Sequence, residues 1–212
     1  MKALIALGGD APGAEFLKEQ VSQADLIVAA DGGAQALAHI GVRPHVLLGD
    51  MDSLYEGLAQ ELEQAGVPVL RCSPEKDFTD GQLAVDWALD KGAVDIALLG
   101  ALGGRLDHLL GNVALLLRAA RHGARCEMRD EHTRAWAATG LTDILGDVGN
   151  TVSLLPLAGD AAARYLEGLQ YGTQEPLALP ADMPIGVSNV LTARQARVDI
   201  TGWALIVVTK VR

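Results

Sequence analysis

Four aspartates in two short segments are the residues of this sequence best suited to chemistry. Asp50 and Asp52 lie in Gly-Asp-Met-Asp-Ser at residues 49–53, and Asp77 and Asp80 lie in Lys-Asp-Phe-Thr-Asp at residues 76–80. Carboxylates held in one cleft disfavour each other's ionisation, so a metal ion or hydrogen-bond donors must compensate their charge. Asp50 and Asp52 are two residues apart and would leave the same face of an extended segment. A few hard oxygen ligands, with room for water and phosphate, predict a Mg²⁺ site that presents a nucleotide.

The composition of the chain narrows the classes of protein to which it can belong. Its 212 residues carry a formal net charge of −10 and are 50% hydrophobic and 21% charged, which is ordinary for a soluble globular protein. This acidic balance disfavours nucleic acid as a partner, because such binding needs a basic surface. The apolar stretch at residues 3–7 is too short for a signal peptide, and no run of about 18 apolar residues occurs, which predicts a cytoplasmic protein without a membrane span. Cys72 and Cys126 stand far apart, without metal-ligand spacing, and are predicted to be inert thiols in a reducing compartment.

The first 130 residues or so alternate between strand and helix patterns. Short apolar runs bounded by Gly, Asp or Pro predict strands buried on both faces of a parallel sheet, at residues 3–7, 26–30, 46–48, 67–70 and 96–99. Apolar residues at helical spacing predict helices over residues 105–121, after Thr79 and after Ser53. Together these elements predict a doubly wound α/β domain over residues 1–132, with helices on both faces of a mostly parallel sheet.

The second part of the chain has a different pattern. After about His132, turn residues recur every few positions and no long helical stripe remains. Short runs with β-branched residues predict strands at residues 151–157, 164–169, 197–200 and 204–208. We therefore predict a smaller all-β, sandwich-like domain over residues 133–212 that packs closely on the first, because no flexible linker separates the two.

The predicted strand ends bring the polar segments to one place. In an open parallel sheet, ligands bind beyond the carboxyl ends of the strands, where Asp31, Asp50 and Asp52 fall. Gly32 and Gly33 directly follow Asp31, and a helix that starts with glycine offers free N–H groups to phosphate. The segment Gly-Gly-Arg at residues 103–105 does the same and adds a guanidinium.

Structural roles account for some of these residues equally well. Ser53 and Thr79 each begin a capping-box pattern, so their hydroxyls are at least as well explained as helix N-caps. Asp80 in a first helical turn would favour the helix dipole. Such explanations are weak for Asp50, Asp52 and Asp77 taken together.

Four segments, in this order and spacing, carry a family resemblance. They are Ala-Asp-Gly-Gly at residues 30–33, the two acidic segments at 49–53 and 76–80, and Gly-Gly-Arg-Leu-Asp-His at 103–108. Together they resemble the thiamine pyrophosphokinase family, and a thinner similarity continues through residues 168–171 and 186–189. The chain departs from the family pattern at Met51, at residues 172–173 and at Val190.

The resemblance implies transfer of the diphosphate of ATP to the hydroxyethyl oxygen of thiamine, with release of AMP. It implies that Asp31, Asp50, Asp52 and Asp80 surround Mg²⁺ and that Lys76, Thr79 and Arg105 hold phosphates or nucleotide. Asp77 or Asp80 would orient or deprotonate the attacking hydroxyl, and the sequence does not choose between them. Thiamine would contact Tyr171, Ser188 and Asn189, with Asp107 as a further partner. The family's shared site between subunits implies a homodimer.

Two other functions remain open at this point. A related class of enzymes with a similar acidic signature pyrophosphorylates a hydroxymethylpterin, and only the resemblance at Tyr171, Ser188 and Asn189 favours thiamine. A nucleotide sensor without catalysis would keep the glycine-led helix starts and lose the metal carboxylates, which are all present here. For Tyr171 itself, filling the core of the β domain is as plausible as stacking on a ligand.

Overall fold

The computed structural model describes residues 1–73, 77–173 and 175–211. Contacts within the chain divide it into two compact units, Met1–Glu131 and His132–Arg212. None of the helices in these described ranges has the length and apolar character needed to span a membrane.

Strands and helices alternate along the first unit. Its described elements are β1 (Lys2–Ala6), α1 (Ala14–Ser22), β2 (Leu26–Ala30), α2 (Gly33–His39), β3 (Val46–Gly49), α3 (Leu58–Gln64), β4 (Val69–Arg71), α4 (Asp80–Asp90), β5 (Asp95–Leu99), α5 (Leu106–Arg121) and β6 (Arg125–Arg129). The strands lie in the order β6-β5-β1-β2-β3-β4, and each neighbouring pair is parallel. The protein therefore has a mixed α/β fold, and the predicted parallel sheet is confirmed.

The strand order reverses at β1. From β1 the chain adds β2, β3 and β4 on one side and then returns to add β5 and β6 on the other. In a parallel sheet, a ligand crevice forms where the order reverses, outside the carboxyl ends of the two strands concerned. Here those ends belong to β1 and β5.

The core of the first unit explains its apolar strands. Leu4, Ile27 and Leu47, from three neighbouring strands, pack in one cluster with residues of α1, α2 and α3. The next residues along β1 and β2, Ile5 and Val28, are fully buried as well. Because both sets of alternate side chains are buried, these strands are continuous apolar runs and not alternating patterns.

The second unit is antiparallel. Its described strands are β7 (Thr133–Leu145), β8 (Thr151–Pro156), β9 (Ala161–Glu167), β10 (Leu177–Leu179), β11 (Asn189–Val190) and β12 (Gln195–Thr209). β12 pairs with β7 on one side, and on the other side with β9 through its first half and β8 through its second half. Trp136, Leu166 and Ile206 belong to the buried cluster inside this unit.

Three sequence predictions need correction. The helix predicted directly after Ser53 begins only at Leu58, because Gly57 has a left-handed φ of 95° and forms the N-cap position. The two strands predicted around residues 197–208 are one strand with a register shift between Ile200 and Ala204. Strands β6 and β7 were not predicted, since charged and small residues interrupt their apolar pattern.

Candidate active site

Three carboxylates converge at the ends of β2 and β3. Oxygen atoms of Asp31, Asp50 and Asp52 all lie within 4.8 Å of one another. Asp31 and Asp50 are half-buried, whereas Asp52 is exposed. Within the described residues this is the one such group of acidic, histidine or cysteine side chains. The convergence that was predicted from the strand ends is therefore present for these three residues.

The backbone at this place is specialised to bring the carboxylates together. Asp31 has a left-handed φ of 44°, and Met51, between the other two aspartates, has a φ of 69°. The main-chain N–H of Asp52 donates a hydrogen bond of 3.2 Å to Oδ1 of Asp50. A side chain at Gly49 would place its Cβ 3.0 Å from the Cβ of Asp31 and 3.2 Å from Oδ1 of Asp80. Glycine at this position therefore leaves room for the side chains of Asp31 and Asp80.

The chemistry of this group fits a divalent cation. Oδ1 of Asp31 is buried and, within the described part of the chain, accepts no hydrogen bond. A buried carboxylate oxygen without a donor is costly, and two further carboxylates nearby increase that cost. Oxygen ligands from a few carboxylates are the set that Mg²⁺ binds alongside substrate phosphates.

The second acidic segment lies at the start of α4. Thr79 is the N-cap of this helix, and its side chain accepts a hydrogen bond of 3.1 Å from the N–H of Gln82. Its predicted alternative role as a helix cap is thus confirmed. Asp80 is the first residue of α4, against Gly49, but it is outside the group of three mutually close carboxylates. Asp77 is exposed and also outside that group. Lys76 lies outside the described residues.

The glycines after Asp31 serve close packing. A Cβ on Gly33 would lie 2.0 Å from the carbonyl oxygen of Ala6, at the end of β1. A Cβ on Gly32 would lie 3.2 Å from the Cα of Gly8. These contacts let the start of α2 lie directly against the end of β1 and the loop that follows it.

Arg105 and Asp107 form an exposed ion pair at the start of α5. Nε and a terminal nitrogen of Arg105 donate to the two oxygens of Asp107, at 3.2 Å and 2.6 Å. These hydrogen bonds hold the pKa of Asp107 below its usual value and raise the pKa of Arg105. Asp107 is therefore ionised at neutral pH, and the pair is lost as the pH falls through the lowered pKa of Asp107. Near the start of α5, Leu106 and Leu110 are exposed, although both are among the apolar residues whose helical spacing predicted this helix.

Of the four residues predicted to bind thiamine, Asp107 belongs to α5 and the other three lie in the second unit, where Asn189 organises the backbone. Its side-chain oxygen accepts hydrogen bonds from the N–H groups of Tyr171 and Val190, at 3.0 Å and 2.8 Å. Its amide nitrogen donates to the carbonyl of Tyr171 at 3.0 Å. The Tyr171 side chain is 68% exposed, so the alternative role of filling the β core is excluded. Ser188 is exposed and has a left-handed φ of 61°.

Two polar residues near the strand ends were not predicted. Asp10 accepts a hydrogen bond of 3.1 Å from the N–H of Gly104, and the amide of Gln35 donates to the carbonyl of Ser53 at 2.8 Å. The pair of glycines that follows β1, at residues 8–9, is the signal that would have drawn attention to Asp10. Gln35 has no comparable signal, because its role depends on the turn that places Ser53 nearby.

Comparison with known proteins adds an independent line of evidence. A family model described as the catalytic domain of thiamin pyrophosphokinase matches residues 17–128. A thiamine pyrophosphokinase of Bacillus subtilis is 32% identical over 148 residues, which is 69% of this chain and 69% of that protein.

Two solved structures are similar to this chain over almost its whole length. The crystal structure of thiamine pyrophosphokinase from Bacillus subtilis covers 99% of both chains at 25% identity, with a TM-score of 0.86. That of thiamin pyrophosphokinase from Geobacillus thermodenitrificans covers 100% of this chain and 98% of its own, at 28% identity and a TM-score of 0.83. With a family model that spans more than half of the residues and a relative of this similarity, the chain belongs to the thiamine pyrophosphokinase family.

Proposed function

We propose that this protein is a thiamine diphosphokinase, which transfers the diphosphate group of ATP to the hydroxyethyl oxygen of thiamine and releases AMP. The observation that carries the proposal is the convergence of Asp31, Asp50 and Asp52 at the strand ends of a chain that belongs to this family. In the reaction, the hydroxyl oxygen bonds to the β-phosphorus of ATP. The bond from that phosphorus to the oxygen that bridges it to the α-phosphorus breaks, and AMP leaves with the electron pair.

The carboxylates have two roles in this proposal. Asp31, Asp50 and Asp52 hold Mg²⁺, and Asp80 lies against Gly49 where it adds negative charge to the same place. Bound Mg²⁺ would neutralise charge on the triphosphate and on the departing AMP. Either Asp77 or Asp80 orients the thiamine hydroxyl and accepts its proton.

On the nucleotide side, we assign phosphate binding to Arg105, Lys76 and the segment around Thr79. Arg105 presents a planar fork, already held in a two-point contact by Asp107, and such a fork also matches phosphate oxygens. Arg105→Lys keeps the charge and loses the fork, so it should lower kcat/KM for ATP about tenfold, within the range of a charged hydrogen bond. Steady-state kinetics with varied ATP measure this effect.

Arg121→Lys is the matched control, because Arg121 is exposed in the last turn of the same helix. It should leave kcat/KM for ATP unchanged. Equal and negligible effects of the two substitutions would remove Arg105 from the nucleotide site.

On the thiamine side, the second unit supplies an aromatic surface. Thiamine is a cation with two aromatic rings, and the exposed ring of Tyr171 offers a face on which it can stack. Asn189 fixes the main chain of Tyr171 from both sides, so its contribution to thiamine binding acts through Tyr171. The remaining proposed thiamine contacts are Ser188, which precedes Asn189 in the chain, and Asp107.

Tyr171→Ala should raise the KM for thiamine about 2- to 30-fold, the equivalent of the 0.5–2 kcal/mol of a cation–π contact. The KM for ATP and the melting temperature should change little, because the removed side chain is exposed. Tyr165→Ala, on strand β9 of the same unit, is the control and should leave both KM values unchanged. A loss of stability with both substrates affected alike would contradict the assignment.

The proposal includes a domain arrangement and an assembly. The first unit, with helices on both faces of its sheet, would bind ATP and metal, and the sandwich-like second unit would bind thiamine and form a homodimer with a shared site. Support for an interface comes from apolar side chains of the second unit that are about half exposed, namely Met183, Ile185 and Val187. Exposed apolar groups close together in sequence are typical of surfaces that a partner covers.

Product analysis tests the function. Purified protein with Mg²⁺ and ATP should convert thiamine to thiamine diphosphate and release AMP, and it should leave a hydroxymethylpterin unchanged. Release of ADP would indicate a simple kinase, turnover of the pterin would indicate the related enzyme class, and no turnover would favour a nucleotide sensor.

A further inference from the structure

The loops that follow β1 and β5 meet where the strand order reverses. A Cβ on Gly9 would lie 2.4 Å from the carbonyl oxygen of Gly100, and a Cβ on Gly100 would lie 2.4 Å from that of Leu7. The N–H of Leu7 donates to the carbonyl of Leu99 at 2.8 Å. The two loops are therefore packed backbone against backbone at the place where an open parallel sheet binds its ligand.

Asp10 extends this contact to the glycine pair at residues 103–104. Its Oδ2 accepts the N–H of Gly104 at 3.1 Å, and a Cβ on Gly103 would lie only 2.3 Å from the same oxygen. Gly103 and Gly104 have left-handed φ values of 82° and 68°. The carboxylate of Asp10 thus lies against the Cα of Gly103 and accepts the main-chain N–H of Gly104. These two contacts hold the turn in place.

This turn leads directly to the proposed nucleotide residue. Arg105 follows Gly104, occupies the N-cap position of α5 and holds Asp107 with its guanidinium. Any movement of the turn would therefore move the side chain to which we assign phosphate binding. A shift of about 1 Å in a positioned group is enough to lower a reaction rate substantially.

We propose that Asp10 is a positioning residue of the nucleotide site, which acts by holding the Gly103–Gly104 turn so that Arg105 faces the phosphates. The proposal rests on the function proposed above. Asp10 does not itself contact ATP, and its carboxylate stays on the turn when the nucleotide binds.

Replacing Asp10 tests the proposal. Asp10→Ala should weaken MgATP about tenfold, as expected for the loss of a hydrogen bond to a charged acceptor, both in KM and in calorimetric titration without thiamine. The KM for thiamine and the melting temperature should stay near the wild-type values, because Asp10 is exposed. Asp10→Asn keeps an oxygen acceptor and should recover most of the ATP affinity.

Two glycine variants provide a second test that does not alter the carboxylate. Gly103→Ala would push Asp10 off the turn, whereas Gly104→Ala meets no atom within 4 Å and adds only the strain of its φ. Gly103→Ala should therefore weaken MgATP more than Gly104→Ala does. In the Asp10→Ala background, that extra effect should disappear, because the same contact is already lost.

Three results would overturn the proposal. The first is an unchanged affinity of Asp10→Ala for MgATP. The second is tighter binding of MgATP, which would mean that the carboxylate of Asp10 occupies the place of a phosphate. The third is an equal loss of affinity for ATP and for thiamine together with a lower melting temperature. Calorimetry of MgATP does not depend on turnover. Failure of the wild-type protein to form AMP and thiamine diphosphate would therefore reject the proposed function separately from the role of Asp10.

Discussion

Replacing Asp50 or Asp52 by Asn is expected to reduce turnover by at least about 100-fold. Replacing a residue that only hydrogen-bonds to a metal ligand already lowers metal affinity or activity by about 10- to 100-fold. Both substitutions remove charge from a group whose oxygens lie within 4.8 Å of a third carboxylate. The fold should be intact, because Asp50 is half-buried, Asp52 is exposed, and neither belongs to the core. Steady-state rates at ordinary Mg²⁺ concentrations measure the loss.

Thermal melting separates metal binding from folding in these variants. Without metal, each variant should melt at the wild-type temperature or above it, because removing one of three close carboxylates relieves repulsion. With Mg²⁺ and ATP, the wild-type protein should gain stability and the variants should gain much less. Asp90→Asn, at the exposed end of α4, should behave as wild type. Near wild-type activity in either Asp50→Asn or Asp52→Asn would show that the residue does not hold the metal.

Gly33→Ala is expected to destabilise the protein by about 3 kcal/mol or more, at the upper end of the usual cost of overpacking. The added methyl group would lie 2.0 Å from the carbonyl oxygen of Ala6 and 2.3 Å from its carbon, both of them backbone atoms. Helix α2 would then have to move away from β1, next to the turn that carries Asp31. For a chain of this length, the melting temperature should fall by about 6–12 °C.

Gly111→Ala is the matched control for this substitution. Gly111 also lies within a helix, but it is exposed and a Cβ there meets no atom within 4 Å. The change should raise the melting temperature by about 2–4 °C, because alanine is the better helix former by about 1 kcal/mol. If Gly33→Ala were as stable as Gly111→Ala, the close approach of α2 to β1 would be wrong.

The parts of the fold that depend on local patterns were predicted from the sequence. Strand β2 is apolar throughout because both of its faces are buried, and the long helix α5 begins at Leu106, one residue from the predicted start. The convergence of Asp31, Asp50 and Asp52 follows from the same patterns, since Asp31 directly follows one predicted strand and the segment with Asp50 and Asp52 follows the next. Local sequence patterns are therefore sufficient to predict that these three aspartates lie together.

Other elements depend on contacts that local patterns do not contain. Strand β6 was not predicted because Glu127 is buried within it, and its ion pairs with Arg125 and Arg129, from the same strand, make that burial tolerable. The helix expected after Ser53 starts five residues later, because the Ser53 hydroxyl donates to Asp52 at 3.0 Å and does not cap a helix.

The contact of Asp10 with the turn at residues 103–104 joins residues 94 positions apart. Predicting it requires knowing that β1 and β5 are neighbours, which follows from the strand order and not from any spacing in the sequence. The hydrogen bonds between Asn189 and Tyr171 likewise join residues that are distant in sequence, so the two were predicted only as separate ligand contacts.

Tracing labelled phosphorus through the reaction tests the central claim most directly. Purified protein would be incubated with thiamine, Mg²⁺ and ATP labelled at either the γ- or the α-phosphorus. We expect the γ label in thiamine diphosphate, the α label in AMP, and equal amounts of the two products. Label from the α-phosphorus in the thiamine product, or ADP together with thiamine monophosphate, would contradict diphosphate transfer by this protein.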